Sequence, residues 1–244
     1  MKTLSPGPSA WPARLDLLQS LSGLFLALFM WLHMFFVSSI LLVKDVFWTV
    51  ARFFEGYFFL GRGYPALVSA FVAAVYLVIV FHAALALRKF PANWLQYRAF
   101  WQHSRTMRHG DTTLWLVQVI TGFAMFFLAS VHLYLMMTQP DLIGPYASAD
   151  RVWTGRMWPL YLILLFAVEL HGGIGLYRLA VKWGWFESPD PNRTRARLKG
   201  AKWALTVFFI ALGLASLAAY VKIGIEHAPD AGELYTPAWA GEGS

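Results

Sequence analysis

Residues 22–43 read SGLFLALFMWLHMFFVSSILLV. These 22 positions hold no Asp, Glu, Lys or Arg. At about 1.5 Å per residue, a helix of that length reaches about 33 Å, enough to cross the hydrocarbon core of a bilayer. One residue resists that reading. His33 stands in the middle of the run, where an imidazole is costly unless something binds it.

Working outward, four more apolar stretches follow, at about 66–87, 113–137, 157–181 and 203–221. They are rich in Leu, Phe, Val and Ala and lack the two-residue alternation of a membrane β-barrel. The whole chain of 244 residues is 58% hydrophobic and 14% charged, with a mean hydropathy of +0.52. That composition excludes an ordinary soluble domain. The predicted fold is all-α, an integral membrane bundle of five transmembrane helices forming a single domain over residues 1–244. Residues 1–20 carry prolines and Asp16 without an apolar core. They read as a cytoplasmic arm, not a cleaved signal. Residues 222–244 read as an outer tail.

Lysine and arginine set the expected orientation. The arm, the loop after the second stretch and the segment between the fourth and fifth hold 14 of them, from Lys2 and Arg14 through Arg105 and Arg108 to Lys202. The other side holds six: Lys44, Arg52, Arg62, Arg151, Arg156 and Lys222. The basic side belongs in the cytoplasm, which puts the N-terminus inside and the C-terminus outside. Basic loops facing anionic membrane lipid account for the net charge of +7, and no nucleic acid is needed. Tryptophans near segment ends, including Trp31, Trp48, Trp115 and Trp153, suit interfacial belts. Cysteine is absent. This excludes disulfides, thiolate-bound clusters and covalently attached haem, so any metal is held by His, Met or carboxylate.

Four of the seven histidines fall one each in the first four stretches: His33, His82, His132 and His171. One such residue alone would read as a satisfied core histidine. Four of them read as ligands, since neutral imidazole binds iron and bundle interiors are where such sites are built. Two bis-histidine haems account for all four. Depth restricts the pairing. His82 lies seven residues before Lys89, near the cytoplasmic side, and His132 lies five before Met137, near the outer side. They differ in depth by roughly 10 Å or more and cannot share one iron, whose bonds are about 2 Å long. His33 and His171 sit near mid-depth and fit either partner. Small residues around them, such as Ala86, Ala129, Gly172, Gly173 and Gly175, leave room for a flat macrocycle or for close helix packing.

The stretches LDLLQS (15–20), ALRKFP (86–91), MRHGDTTLW (107–115), TGFAMFFLASVHLYLMMTQP (121–140) and MWPLYLILLFAVELHG (157–172), with histidine spacings of 49, 50 and 39, resemble the cytochrome b subunit of dihaem quinol:fumarate reductases. That family lies within the succinate:quinone oxidoreductases. The resemblance implies a membrane anchor for an iron–sulfur subunit and a flavoprotein subunit on the cytoplasmic face, in a bacterial inner membrane, with complexes pairing as dimers of heterotrimers. It implies His82 with His171 at a proximal haem b and His33 with His132 at a distal one. It places Gln19, Ser20, Trp115 and Lys182 at the proximal propionates, and Arg151 suits a distal one. It implies menaquinol oxidation near the outer side, involving Glu55 in ARFFEGYFF (51–59), with electrons delivered inward to reduce fumarate. The loop after Glu55 departs from the family pattern at Gly56, Phe58 and Phe59. Without the resemblance, Glu55 reads as an interfacial carboxylate. Glu169, the one acidic residue deep in a segment, lies two positions from His171, about 200° round a helix. It is therefore not that histidine's partner, and the resemblance assigns it to a proton pathway. The same residues admit two other functions: a succinate:menaquinone reductase, and a proton transporter with a histidine relay.

Overall fold

The computed structural model describes residues 9–90, 92–107 and 110–241. Lys2 and Arg108, counted above among the cytoplasmic basic residues, lie outside the described residues. All regular structure among the described residues is helical. Five helices are long and apolar enough to span a membrane. They are α1 (Trp11–Ser38, extended by a short 3₁₀ turn to Leu41), α4 (Pro65–Leu87), α6 (Gly110–Thr138), α8 (Trp158–Lys182) and α9 (Pro191–His227). Shorter helices link them: α2 (Lys44–Phe54), α3 (Tyr57–Leu60), α5 (Trp94–Met107), α7 (Pro145–Val152) and α10 (Ala238–Gly241).

Helix and apolar stretch are different objects, and the ends show it. α1 begins at Trp11, so much of the segment read as an arm is helical and runs unbroken into the apolar core. Pro12 sits in its first turn, where a missing N–H costs nothing. α9 is 37 residues long, against an apolar stretch of 19. Asp190 caps it by accepting from the backbone N–H groups of Asn192 and Arg193 at 2.9 and 3.3 Å. At about 55 Å the helix outruns the hydrocarbon layer.

The spans alternate in direction, and four of them close a ring. α1 packs on α4, α4 on α6, α6 on α8, and α8 back on α1. The diagonal pairs, α1 with α6 and α4 with α8, are held apart. α9 lies outside the ring against α8 and α1. The four histidine-bearing helices are therefore the ring, and the helix without an intramembrane histidine is the buttress. At Gly173 on α8, a Cβ would fall 2.5 Å from Thr206 Oγ1 on α9, so the glycine lets that buttress close. Here the neighbours of His171 divide: Gly172 and Gly175 line the ring interior, while Gly173 serves helix packing.

The bundle has a near end, where α1 starts, and a far end, where α9 finishes. A buried cluster of Ile40, Phe47, Ala149, Val152 and Tyr220 closes the far end beneath α2 and α7. At the near end, Asp16 forms ion pairs with both Lys89 and Lys182, tying α1 to α8 and to the residues just after α4. Asp111 pairs with Arg195 at 3.1 Å and Lys199 at 2.8 Å and accepts from Tyr177 at 3.1 Å, tying α6, α8 and α9. The tryptophan belt needs one correction. Trp31 lies deep within α1, stacked on Phe209 with centroids 5.2 Å apart, and is no interfacial anchor.

Candidate functional site

The ring encloses one cavity of about 1060 Å³, lined mostly by apolar side chains. All four intramembrane histidines line it, each from a different helix. Because α1–α6 and α4–α8 are the diagonals, His33 faces His132 across the ring and His82 faces His171.

The far pair can be measured. The His33 and His132 ring centroids are 6.2 Å apart. Two imidazoles on one iron require two metal–nitrogen bonds of about 2 Å plus about 1.1 Å from each nitrogen to its ring centre, or about 6 Å in all. The spacing therefore fits a metal held between the rings. Phe29 stacks beside His33 at 5.9 Å, and Tyr161 meets His132 edge-on at 5.6 Å. His132 Nδ1 is buried without a partner.

The near pair is anchored differently. His171 Nδ1 lies 2.8 Å from the backbone carbonyl of Gln118, and His82 Nδ1 lies 3.0 Å from Ser22 Oγ. A carbonyl oxygen only accepts, so His171 carries its proton on Nδ1 and keeps Nε2 free as a ligand.

Charges line the near end of the cavity. Gln19, Ser20, Trp115 and Lys182 are all there, and Lys89 and Arg178 join them. Lys182 Nζ donates to Ser20 Oγ at 3.1 Å. Arg178 donates to Gln118 Oε1 at 2.7 Å, and the buried Gln19 Oε1 has no partner. Cations and an orphaned amide beside a macrocycle-sized cavity suit a carboxylate-bearing ligand. Sequence reading missed Lys89 and Arg178 here. Both lie near helix ends that face the same side as Lys182, and that shared side was the available signal. Arg151 lines the far end, where it donates to the Leu142 carbonyl at 3.0 Å.

Glu55 is not a solvent-exposed carboxylate. It is 1% exposed and lines the far end of the same cavity. Phe47, Ala51 and Glu55 follow at four-residue spacing along α2 and face inward together. Arg52 Nη1 donates to Glu55 Oε2 at 2.5 Å, and Glu55 Oε1 has no partner. Burial pushes the Glu55 carboxyl above the usual carboxylate range; Arg52 opposes this and Asp141 adds to it. The departure at Gly56 is where α2 ends. Its φ of +77° is a left-handed conformation that glycine adopts without strain. The chain then returns over the carboxylate, with Tyr64 N–H donating to the Glu55 carbonyl at 2.9 Å.

Glu169 lies elsewhere. It is also 1% exposed but does not line the cavity. It faces the seam between α8, α1 and α9, beside the Trp31 side chain, and its Oε1 has no partner. Farther along the same seam, Lys202 Nζ on α9 is buried without a hydrogen-bond partner, 3.3 Å from the Trp203 ring centre.

The architecture defines a membrane-spanning helical subunit built round a histidine-lined cavity. A family described as the transmembrane subunit of succinate dehydrogenase and fumarate reductase matches residues 95–212. The fumarate reductase cytochrome b subunit of Wolinella succinogenes is 58% identical over 218 residues, covering 89% of this chain and 85% of that protein. The subunit of the same description from Helicobacter pylori is 56% identical over 215 residues, covering 88% and 83%. A succinate dehydrogenase hydrophobic membrane anchor subunit from Archaeoglobus fulgidus is 36% identical over 93 residues, covering 38% of this chain and 72% of that protein. The chain belongs to the fumarate reductase cytochrome b subunit family.

The Asp16 clamp gives a direct test of the near end. Its partners are one-third to one-half exposed, so each ion pair is worth at most about 1 kcal/mol and is screened by salt. Asp16→Asn should lower the thermal unfolding temperature in detergent, with the deficit shrinking at high ionic strength.

Proposed function

We propose that the chain is the membrane anchor of a quinol:fumarate reductase, holding two b-type haems and the site of quinol oxidation. The observation that carries this reading is the pair of ring diagonals, with His33 and His132 spaced as a shared iron requires. His33 and His132 hold the far haem, and His82 and His171 the near one. Gln19, Ser20, Trp115 and Lys182, with Lys89, receive the near propionates, and Arg151 a far one. Haem bound there supplies one-electron chemistry at two depths, linking an outer quinol site to a cytoplasmic acceptor.

The basic near end faces the cytoplasm in this reading, with the N-terminus inside and the C-terminus outside a bacterial inner membrane. An iron–sulfur subunit and a flavoprotein subunit dock on that face, and the complex pairs as a dimer of heterotrimers. The relatives' shared description as fumarate reductase cytochrome b subunits supports the assignment of the anchor. The Archaeoglobus relative is described as a succinate dehydrogenase membrane anchor, which over a shorter match favours the reverse direction, succinate oxidation. Fumarate-dependent quinol oxidation and succinate-dependent quinone reduction, assayed on one membrane preparation, separate the two.

The haem reading predicts a b-type absorption band on reduction and about two haems per chain. His33→Ala and His132→Ala should each remove one and the same haem, and His82→Ala and His171→Ala the other. A colourless protein would overturn the reading and favour a histidine-relay transporter.

Menaquinol binds at the far end beside Glu55 and releases two protons as it is oxidised. The ionised Glu55 accepts them in turn and releases each to the outer side, with Arg52 holding the carboxylate in place. Only the charged form can accept, and burial delays ionisation to higher pH. Quinol-dependent rate should therefore fall as pH drops through a point above the ordinary carboxylate range. Glu55→Gln should abolish quinol oxidation while both haems remain.

Moving two electrons inward costs or yields about 2.3 kcal/mol per charge for each 100 mV of membrane potential. Two protons moving the same way, one per electron, cancel that work. Glu169 serves this transfer, in a seam separate from the haem cavity and continuous with the α9 side chains Thr206 and Lys202 toward the cytoplasm. Glu169→Gln should keep both haems yet lose quinol-driven fumarate reduction in intact membranes. Unimpaired turnover there would remove Glu169 from the pathway.

A further inference from the structure

A short pattern occurs twice, once on each of two ring helices. Residues 19–23 read QSLSG on α1, and residues 118–122 read QVITG on α6. Both are Gln-x-x-(Ser/Thr)-Gly. Each seats one imidazole of the near pair.

The two seats share a construction. A helical residue four positions along stands over the carbonyl of the first. Here that residue is glycine, so the carbonyl is left open from the side. A Cβ on Gly23 would lie 2.9 Å from His82 Cε1, and one on Gly122 would lie 2.9 Å from His171 Cε1 and 3.2 Å from its Nδ1. The rings occupy the space the missing methyls leave. These two glycines therefore face imidazole, unlike Gly173, which faces a neighbouring helix.

The two Nδ1 atoms meet different groups of the same pattern. The Gln118 carbonyl lies 2.8 Å from His171 Nδ1. On α1, Ser22 Oγ stands 3.0 Å from His82 Nδ1 and donates its own proton to the Gln19 carbonyl at 3.1 Å. When Ser22 gives its one proton to the Gln19 carbonyl, it accepts from a proton on His82 Nδ1, the tautomer that leaves Nε2 free as a ligand. Thr121 holds the matching place on α6, with its hydroxyl 3.1 Å from the Gln118 carbonyl and 2.7 Å from that of Val117. The far pair has no such arrangement at His132, whose Nδ1 is buried without a partner.

We propose that residues 19–23 and 118–122 are matched sockets that fix the tautomer and ring position of His82 and His171, with Ser22 the positioning residue of the first. Each socket aims Nε2 into the cavity by holding Nδ1–H from behind. Such a bond also strengthens the imidazole as a donor, which favours the oxidised over the reduced metal. The inference rests on the haem reading above.

The test is a redox titration and low-spin ferric EPR spectrum of membranes carrying the variant complex, with haem counted per chain. Ser22→Ala should keep both haems and raise the midpoint potential of one, changing that haem's EPR signal and leaving the other's unmoved. Ser22→Thr should restore both properties. Gly122→Ala, whose new methyl meets the His171 ring, should lose one haem and keep the other. Native potentials and spectra in Ser22→Ala, or two native haems in Gly122→Ala, would overturn the sockets while leaving the haem reading intact. Absence of haem from the unaltered protein would instead remove the haem reading itself.

Discussion

Four imidazoles inside an apolar ring set the terms for this protein. Each ring has two nitrogens, and lipid offers neither a donor nor an acceptor. The fold answers by placing all four histidines on the inner face of one cavity and none toward lipid. The diagonal helices must then stand apart, because close packing would leave no space between facing rings. Small residues at the inner face, Ala86, Ala129, Gly172 and Gly175, keep that space open. The outer surface of the bundle is free to expose Leu, Phe and Ile, as lipid requires.

A ring with a hollow interior needs support that its core cannot give. The buttress helix α9 supplies some, seated against α8 through glycines. The ends supply the rest. Asp16 and Asp111 tie the near end by ion pairs. At the far end Asp150 accepts from Gly232 N–H at 3.0 Å and pairs with the buried His227 at 2.9 Å, while Asp45 accepts from Tyr235. That last contact pushes the Tyr235 hydroxyl up to about 12. The polar cross-links sit where water can reach the termini of the spans, and the middle is left to apolar packing and ligands.

α8 shows how one helix separates two tasks. His171 looks into the cavity and Glu169 looks out of it, two residues away. Two positions turn a helix by about 200°, so the separation is built into the backbone period. In the proposed function, a group that carries protons beside a redox centre must not become its ligand. The opposed faces of α8 meet that condition without any special device.

Much of this was legible in the chain. Run length and the absence of charge gave five spans, because the bilayer fixes how many apolar residues a helix needs. The count of one histidine per span pointed to paired ligands, and depth separated His82 from His132. The helix ends were less legible. The first turns of α1 and α9 are polar, so hydropathy stopped short of them. Depth alone leaves the partners of His33 and His171 open, since both are near mid-depth and sequence distance says nothing about which helices lie across a ring; the resemblance supplies the pairing. Only the closed arrangement α1–α4–α6–α8 made α1 opposite α6 and α4 opposite α8. Likewise the sequence pattern alone does not bury Glu55; the inward stripe of α2 does. Composition and period act along one chain segment at a time and can be read from it. Facing, burial and the reach of a carbonyl to an imidazole join residues far apart in sequence, and only packing decides them.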